Sequence, residues 1–328
     1  PAFMTSRFPT MNAGVAVFPR PGLHCLAALA AGLLCLSGSL HADGIDDVTD
    51  LAPQPASSLV TGIDTGLQGA LEQIVDDQGL WPHVESRDLA ISLVDITDLE
   101  RPRFAALNPD HMMYAASLPK IAILLGAFVE AGRGDLVLDD ALRGEMVKMI
   151  RFSSNTSATH VLEKVGRKDL IDILRSDRLR LYDPELNGGL WVGKDYARKN
   201  AYQRDPLHNL SHGATVRQVA RFFYLLEKGE LVDERFHDDM KEMLSRPGIR
   251  HKFVKGLESR PDARVFRKSG TWREYHADAA LVESGDRRFI MVGLAHHRDG
   301  GKWLARLAAP LHDLVVDGDA SDPMVAGH

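Results

Sequence analysis

The stretch HADAALVESGDRRFIMVGLAHH, residues 276–297, constrains the fold more than any other part of this chain. Two runs rich in apolar and β-branched residues flank Gly285-Asp286. A two-residue Gly-Asp link between such runs is a strong hairpin signal. ARVFRKSG (263–270) reads as a further strand before the hairpin, and a closing helix is expected over Lys302–Val315. The other end of the chain has matching elements. GLQGALEQIVDDQG (66–79) reads as an amphipathic helix with Leu67, Leu71 and Ile74 on one face. DLAISLVDITD (88–98) alternates as a strand, and RFAALNP (103–109) suits its hairpin partner.

The middle of the chain is helical. The pattern predicts helices over Leu118–Glu130, Asp139–Arg151, Thr156–Val165, Lys168–Ser176 and Glu234–Ser245. Another follows Thr215, a good N-cap, with Val219, Phe222, Phe223 and Leu226 as its apolar stripe. The order is therefore helix, strands, many helices, strands, helix, with no internal repeat. It implies an α/β chain of the α+β kind: an antiparallel sheet of about five strands built from both ends, flanked by helices, plus an all-helical lobe inserted between them. The expected limits are 61–116 and 260–320 for the sheet lobe and 117–259 for the helical lobe.

The first 42 residues differ from the rest. They carry two charged side chains, Arg7 and Arg20, and no acid. Arg20 suits the n-region of a signal peptide, Leu23–Leu36 its apolar core, and SLHA a processing site at Ala42. The apolar run is short for a membrane-spanning helix, which needs about 20 residues. Export to the periplasm or the extracellular space is expected, with no stable membrane anchor after cleavage. Met4 and Met11 are both candidate starts. Residues 43–60, acidic and Pro/Ser-containing, read as a flexible linker. Both cysteines, Cys25 and Cys35, fall inside the leader. The mature chain then has no disulfide, thiol nucleophile or thiolate metal site. Losing Arg7 and Arg20 moves the net charge from −6 to −8. Positive charge is scattered, so nucleic acid is not an expected partner.

Three stretches carry chemistry. In YAASLPKIAILLGAFVEAG (114–132), Ser117 and Lys120 lie one helical turn apart before an apolar run. A serine hydroxyl needs a base within hydrogen-bond reach to act as a nucleophile. A lysine serves only if burial or nearby positive charge depresses its pKa from about 10.4. Taken alone, the pair is equally an N-cap and a solvated lysine, because Ser-x-x-Lys recurs by chance. MIRFSSNTSATHVLEKVG (149–166) places Ser153 and Asn155 just before a helix, a hydroxyl and an amide. VFRKSGTW (265–272) ends a strand with Lys268, Ser269, Gly270 and Thr271. Each has an ordinary reading as a cap or a turn.

Together, in this order, they match the S-x-x-K, S-D-N and K-T-G set of penicillin-recognising serine enzymes. Over about residues 62–316 the sequence resembles the class A serine β-lactamases and the penicillin-binding proteins. The resemblance implies the β-lactamase/transpeptidase-like fold and a Ser117 acyl-enzyme. It implies Lys120 as proton acceptor and Ser153, with Lys268, as the relay to the leaving nitrogen. Asn155 would hold the substrate amide, and Ser269, Gly270 and Thr271 the substrate carboxylate and the oxyanion edge. No cofactor or metal is implied. The substrate would be a β-lactam or a peptidoglycan-like peptide, and a monomer is expected.

The sequence departs from that family at three points. Ser154 stands for the usual Asp, and Ser269 for the usual Thr. In LYDPELNGGLW (181–191), Asp183 falls where the family's deacylating Glu belongs, with Glu185 in reserve. Aspartate is shorter by about one C–C bond, ~1.5 Å. The segment from Asn187 to Thr215 is also longer than the family's. Acylation machinery is thus complete, and deacylation is the open question. The leading expectation is β-lactam hydrolysis. The alternatives are a D-Ala-D-Ala peptidase, an esterase, or a penicillin-binding sensor without turnover. Arg273 and His276 could border the pocket, and Trp191 and Trp272 could wall it. His296-His297 with Asp299, and His208 with His212, lack the third ligand a metal would need.

Overall fold

The computed structural model describes residue 59 and residues 62–318. The leader and nearly all of the linker expected from the sequence lie outside these residues. Among the described residues no helix is long and apolar enough to cross a membrane.

Five strands form the main sheet: β1 (Leu89–Asp95), β2 (Arg103–Leu107), β3 (Arg264–Trp272), β4 (Tyr275–Ser284) and β5 (Arg287–His296). Their order is β2-β1-β5-β4-β3, antiparallel throughout. The last strand of the chain therefore joins the two ends, as the hairpin pattern requires. Gly285, at φ +61°, makes the β4–β5 turn, a conformation glycine adopts without steric cost.

The central strands are covered on both faces, and their side chains sort with period two. Ala90, Val94, Leu281, Ile290 and Val292 face the larger core with the helical lobe. Leu89, Ile91, Leu93, Val282, Phe289 and Met291 face the smaller one, built with the helices Thr65–Asp77 and Gly300–Asp317. Leu67 and Leu71 are buried there as the helical pattern requires, with Val75 taking the next buried place and Ile74 packing at its edge.

The helical lobe surrounds Lys120–Arg133, whose residues are buried nearly all round. A helix apolar on every side is one that other elements enclose. The remaining helices begin and end within a residue or two of the expected positions, and Thr215 accepts from the Gln218 N–H as an N-cap. The helix expected from Leu118 starts later. Pro119 precedes its first residue, and Leu118 and Lys120 donate to the Ala115 and Ser117 carbonyls in tight turns. The region expected to be irregular contains short ladders. Tyr182–Asp183 pairs with Gly188–Gly189, and His212–Ala214 pairs with both Trp191–Val192 and Met113–Tyr114.

On the sheet edge nearest the helical lobe, Arg267 and Asp278 form a buried ion pair at 2.7 Å. Arg267 also holds the Ile249 and His251 carbonyls, and Asp278 accepts the Phe253 N–H. This network fastens segment 249–253 behind the end of β3. Removing one partner of a buried pair leaves an uncompensated charge. Asp278→Ala should therefore cost about 3–5 kcal/mol, measured as a lowered urea midpoint. A loss below about 1 kcal/mol, the scale of exposed pairs, would show that Arg267 is solvated by other means.

Candidate active site

The turn ahead of helix Lys120–Arg133, the turn ahead of helix Asn155–Val165, and β3 meet at one point. The Lys120 Nζ lies 3.1 Å from the Ser117 Oγ, 2.8 Å from the Asn155 Oδ1 and 2.6 Å from the Ser153 carbonyl oxygen. The Ser153 Oγ is 3.5 Å from Lys120 Nζ and accepts from the Lys268 Nζ at 2.9 Å. Lys268 also donates to the Ser269 carbonyl. Ser117, Lys120, Ser153, Asn155 and Lys268 thus form one connected cluster.

Lys120 and Lys268 are both fully enclosed. Burial brings the Lys120 ammonium down to about 7. Burial also drives Lys268 well below its ordinary range, with the charges of Lys120, Arg267 and Lys252 adding to the effect. A neutral Lys120 has two N–H donors and one lone pair. The donors remain on Asn155 and the Ser153 carbonyl, and the lone pair then accepts the Ser117 hydroxyl. Ser154 caps its helix by accepting from the Ser157 N–H, so a hydroxyl does the capping at this position.

Gly270 lets β3 approach Ser117. A Cβ built there would fall 2.2 Å from the Ala115 carbonyl oxygen and 2.6 Å from the Ser117 nitrogen. The N–H groups of Ser117 and Thr271 are therefore close neighbours along one edge of a groove. Ser269 is buried on β3 opposite Asp278. Two non-glycine residues beside the cluster, Ala116 (φ +50°) and Ser153 (φ +59°), hold left-handed backbone. Such conformations cost about 1–3 kcal/mol each and gather at functional sites.

Lys252, which no sequence motif marked, adds a further buried amine behind the strand. It donates to the Gly270 and Ala277 carbonyls and to the Thr271 Oγ1 at 2.8 Å. Burial lowers it to about 8. It fixes the end of β3 from the side away from Ser117.

The groove has a volume of about 400 Å³ and is bordered by Ser117, Asn155, Thr271, Trp272, Tyr196 and His212, among others. The segment 193–211 contributes what the sequence did not disclose. The Tyr196 ring lies against the Lys120 Nζ, 4.5 Å from its centroid, and the hydroxyl donates to the Ala116 carbonyl. His212 stacks on Tyr196 at 4.1 Å and donates from Nε2 to the Lys194 carbonyl. The length of the segment was the single clue to this wall, and nothing in its composition pointed to Tyr196.

Asp183 is not brought to the cluster. Its carboxylate pairs with Arg180 at 2.7 Å and accepts the Glu185 N–H, closing its own turn. Glu185 is exposed and pairs with the same Arg180. No acidic side chain makes an ion pair with Lys120 among the described residues, and burial accounts for its shift. Trp272 borders the groove, but Trp191 is core, its Nε1 donating to the Gln203 carbonyl. His276 faces a separate cleft with Lys252 and Arg298, and Arg273 lies over the Trp272 ring. Among the described residues there is no group of three or more side chains placed to hold a metal ion.

A family profile described as "Beta-lactamase enzyme family" matches residues 145–315, just over half of the chain. This chain belongs to the beta-lactamase enzyme family. The match includes Ser153, Asn155 and the Lys268–Thr271 strand; Ser117 and Lys120 precede it. Solved members and relatives share the fold. A beta-lactamase from Sphaerobacter thermophilus superposes with a TM-score of 0.58 at 16% identity, over 77% of this chain and 98% of that one. One from Chitinophaga pinensis gives 0.59 at 12%, over 78% and 100%. A PBP-A variant, solved as an acyl-enzyme complex with penicillin G, gives 0.56 at 18%, over 76% and 96%. At such identities the likeness establishes the fold alone. No curated protein matches the sequence.

The closeness of β3 to Ser117 makes Gly270 the sharpest structural requirement of the site. A displacement near 1 Å can cost ~100-fold in rate. Gly270→Ala should lower acylation at least about 100-fold while the far-ultraviolet circular dichroism stays that of the folded protein. Near-normal acylation would mean that the strand can shift without penalty.

Proposed function

We propose that this family member is a serine acyl-transfer enzyme that acylates Ser117 with a β-lactam, or with the corresponding D-Ala-D-Ala amide, and releases the acyl group slowly. One observation carries the reading. The Lys120 amine is shared among Ser117, Ser153 and Asn155, yet its remaining near neighbour is the Tyr196 ring and not a carboxylate.

In the forward step the neutral Lys120 takes the Ser117 proton as the Oγ attacks the carbonyl carbon. The Oγ–C bond forms, and the N–H groups of Ser117 and Thr271 receive the oxyanion. Losing one such donor typically costs ~100- to 1,000-fold. The C–N bond then breaks. The leaving nitrogen takes its proton from the Ser153 hydroxyl, which regains one from Lys120, so the amine ends neutral again. Lys268 keeps the Ser153 oxygen oriented by donating to it, and an arriving substrate carboxylate would raise its proton affinity and pair with the ammonium so formed. Asn155, with its Oδ1 on Lys120, has its amide NH₂ free for the substrate's amide carbonyl.

Hydrolysis of the acyl-enzyme needs a base that aims water at the ester. Asp183 and Glu185 are both engaged by Arg180 instead. Tyr196, whose hydroxyl is held by the Ala116 carbonyl, offers no base at neutral pH. These features favour the acyl-trapping reading over sustained β-lactam turnover. The leader expected from the sequence would deliver the domain to the cell envelope, where peptidoglycan peptides are found.

Mixing the mature protein with benzylpenicillin should yield a stable mass increase of one penicillin per chain, with a burst and little steady turnover of nitrocefin. Ser117→Ala should show no adduct. Continuous nitrocefin hydrolysis at tens per second, typical of a working enzyme, would overturn the reading.

The pH dependence has a defined sign. Only the neutral Lys120 can accept the proton, and its value lies near 7. The stopped-flow acylation rate should therefore rise as pH increases through about 7 and level off above it. A flat profile from about pH 5.5 to 9, spanning that value, would remove Lys120 from the role of base.

A further inference from the structure

The groove that holds Ser117 and Thr271 has borders of uneven charge. Among the described residues no aspartate or glutamate borders it, whereas Lys194 and Arg204 do. Neither cation makes an ion pair among the described residues. The Arg204 guanidinium donates to the Asn209 carbonyl. The acids next to them in sequence are turned away and already used. Asp195 pairs with Arg167 and Arg198. Asp205 is buried and accepts the Tyr182 hydroxyl and the N–H groups of Leu207, His208 and Leu210. The facing rim, the turn between β3 and β4, has one residue of each sign, Arg273 and Glu274.

The field of this pair reaches the groove wall. Burial takes the His212 imidazole down to about 4, and the charges of Lys194, Lys120 and Arg204 push in the same direction. The ring between them is therefore neutral and does not compensate for an anion on its own. Trp272, Tyr275 and Tyr114 supply flat apolar surface beside the two cations.

We infer that the acyl side of this groove is built for a substrate whose acyl group carries a second negative charge, a carboxylate received by Lys194 and Arg204. The substrate is then charged at both ends, with one carboxylate near Lys268 and another at Lys194 and Arg204. A peptide with an acidic side chain or a free side-chain carboxyl next to its scissile end has this form. The inference rests on the acyl-enzyme reading for its reaction and adds the class of acyl group.

Three penicillins with one carbon frame test it: α-carboxybenzylpenicillin, benzylpenicillin and α-aminobenzylpenicillin. They differ in the charge at one carbon of the acyl chain. Second-order acylation rates, read by mass spectrometry at low salt, should fall in that order. The carboxy-to-amino ratio should be about tenfold or more, the scale of two rim charges acting together. The ratio should shrink when salt rises from about 0.02 to 0.5 M, because the Debye length falls from about 20 to 4 Å. In a Lys194→Met, Arg204→Met double variant it should drop to about one. Equal rates in the unaltered protein, or a ratio that survives in the double variant, overturns the inference. If benzylpenicillin forms no adduct, the acyl-enzyme reading falls. The charge preference is then read from dissociation constants of the same three compounds with Ser117→Ala protein, where a ratio of one, or no binding, overturns it.

Discussion

The site depends on a dry amine. Lys120 is enclosed completely, and a charged ammonium in such a place is costly unless it is paired or gives up its proton. Here it meets a hydroxyl, an amide oxygen and a carbonyl, all neutral. Burial outweighs what these neutral acceptors return to the ammonium, so the proton is held weakly. A second enclosed amine, Lys268, stands across the Ser153 hydroxyl, and burial together with the charge of Lys120 lowers it too. A carboxylate beside either amine would restore the charge and remove the base. That no acid among the described residues pairs with Lys120 has two consequences for the proposed reaction: the amine is ready to take the serine proton, and no described carboxylate beside it is placed to direct water at an ester on Ser117.

The rest of the architecture makes that enclosure possible. The helix Lys120–Arg133 is apolar all round and is gripped by the helical lobe, which seals the amine from below. β3 closes one side, and it can do so only because Gly270 has no side chain to strike the Ser117 backbone. Behind β3, Lys252 and the Arg267–Asp278 pair fasten the strand end to the segment before helix Phe253–Gly256. The Tyr196–His212 stack closes the remaining side. Each wall comes from a different part of the chain, which is why the left-handed residues Ala116 and Ser153 persist: the packing around them leaves no alternative backbone path.

Much of this was legible beforehand. Periodicity placed the five sheet strands and the long helices because their apolar patterns are long and unambiguous. Ser117, Lys120, Ser153, Asn155 and Lys268 were legible because the chemistry confines them to short motifs at turns. Asp183 shows the limit. Its place in LYDPELN resembles that of a deacylating acid, but Arg180, three residues earlier, captures the carboxylate within the same turn. Lys194, Tyr196 and Arg204 sit in a long segment without periodicity, and their relation to the site depends on how that segment folds back along His212–Ala214. Lys252 belongs to no motif, and its role follows from the ion pair that anchors its neighbours.

The amino-acid sequence by itself determined the element order, the pairing of the two chain ends in one antiparallel sheet, and which short motifs supply the clustered serine, amine and second hydroxyl. These follow from local periodicity and from residue chemistry at turns. Tertiary structure alone decided which groups surround the amine: an aromatic ring on one face, no ion-paired acid among the described residues, and farther along the groove two cations that pair with no described acid. That outcome depends on long-range contacts between segments about 80 residues apart, as between Tyr196 and Ala116, and contacts of that range leave no period or spacing in the chain.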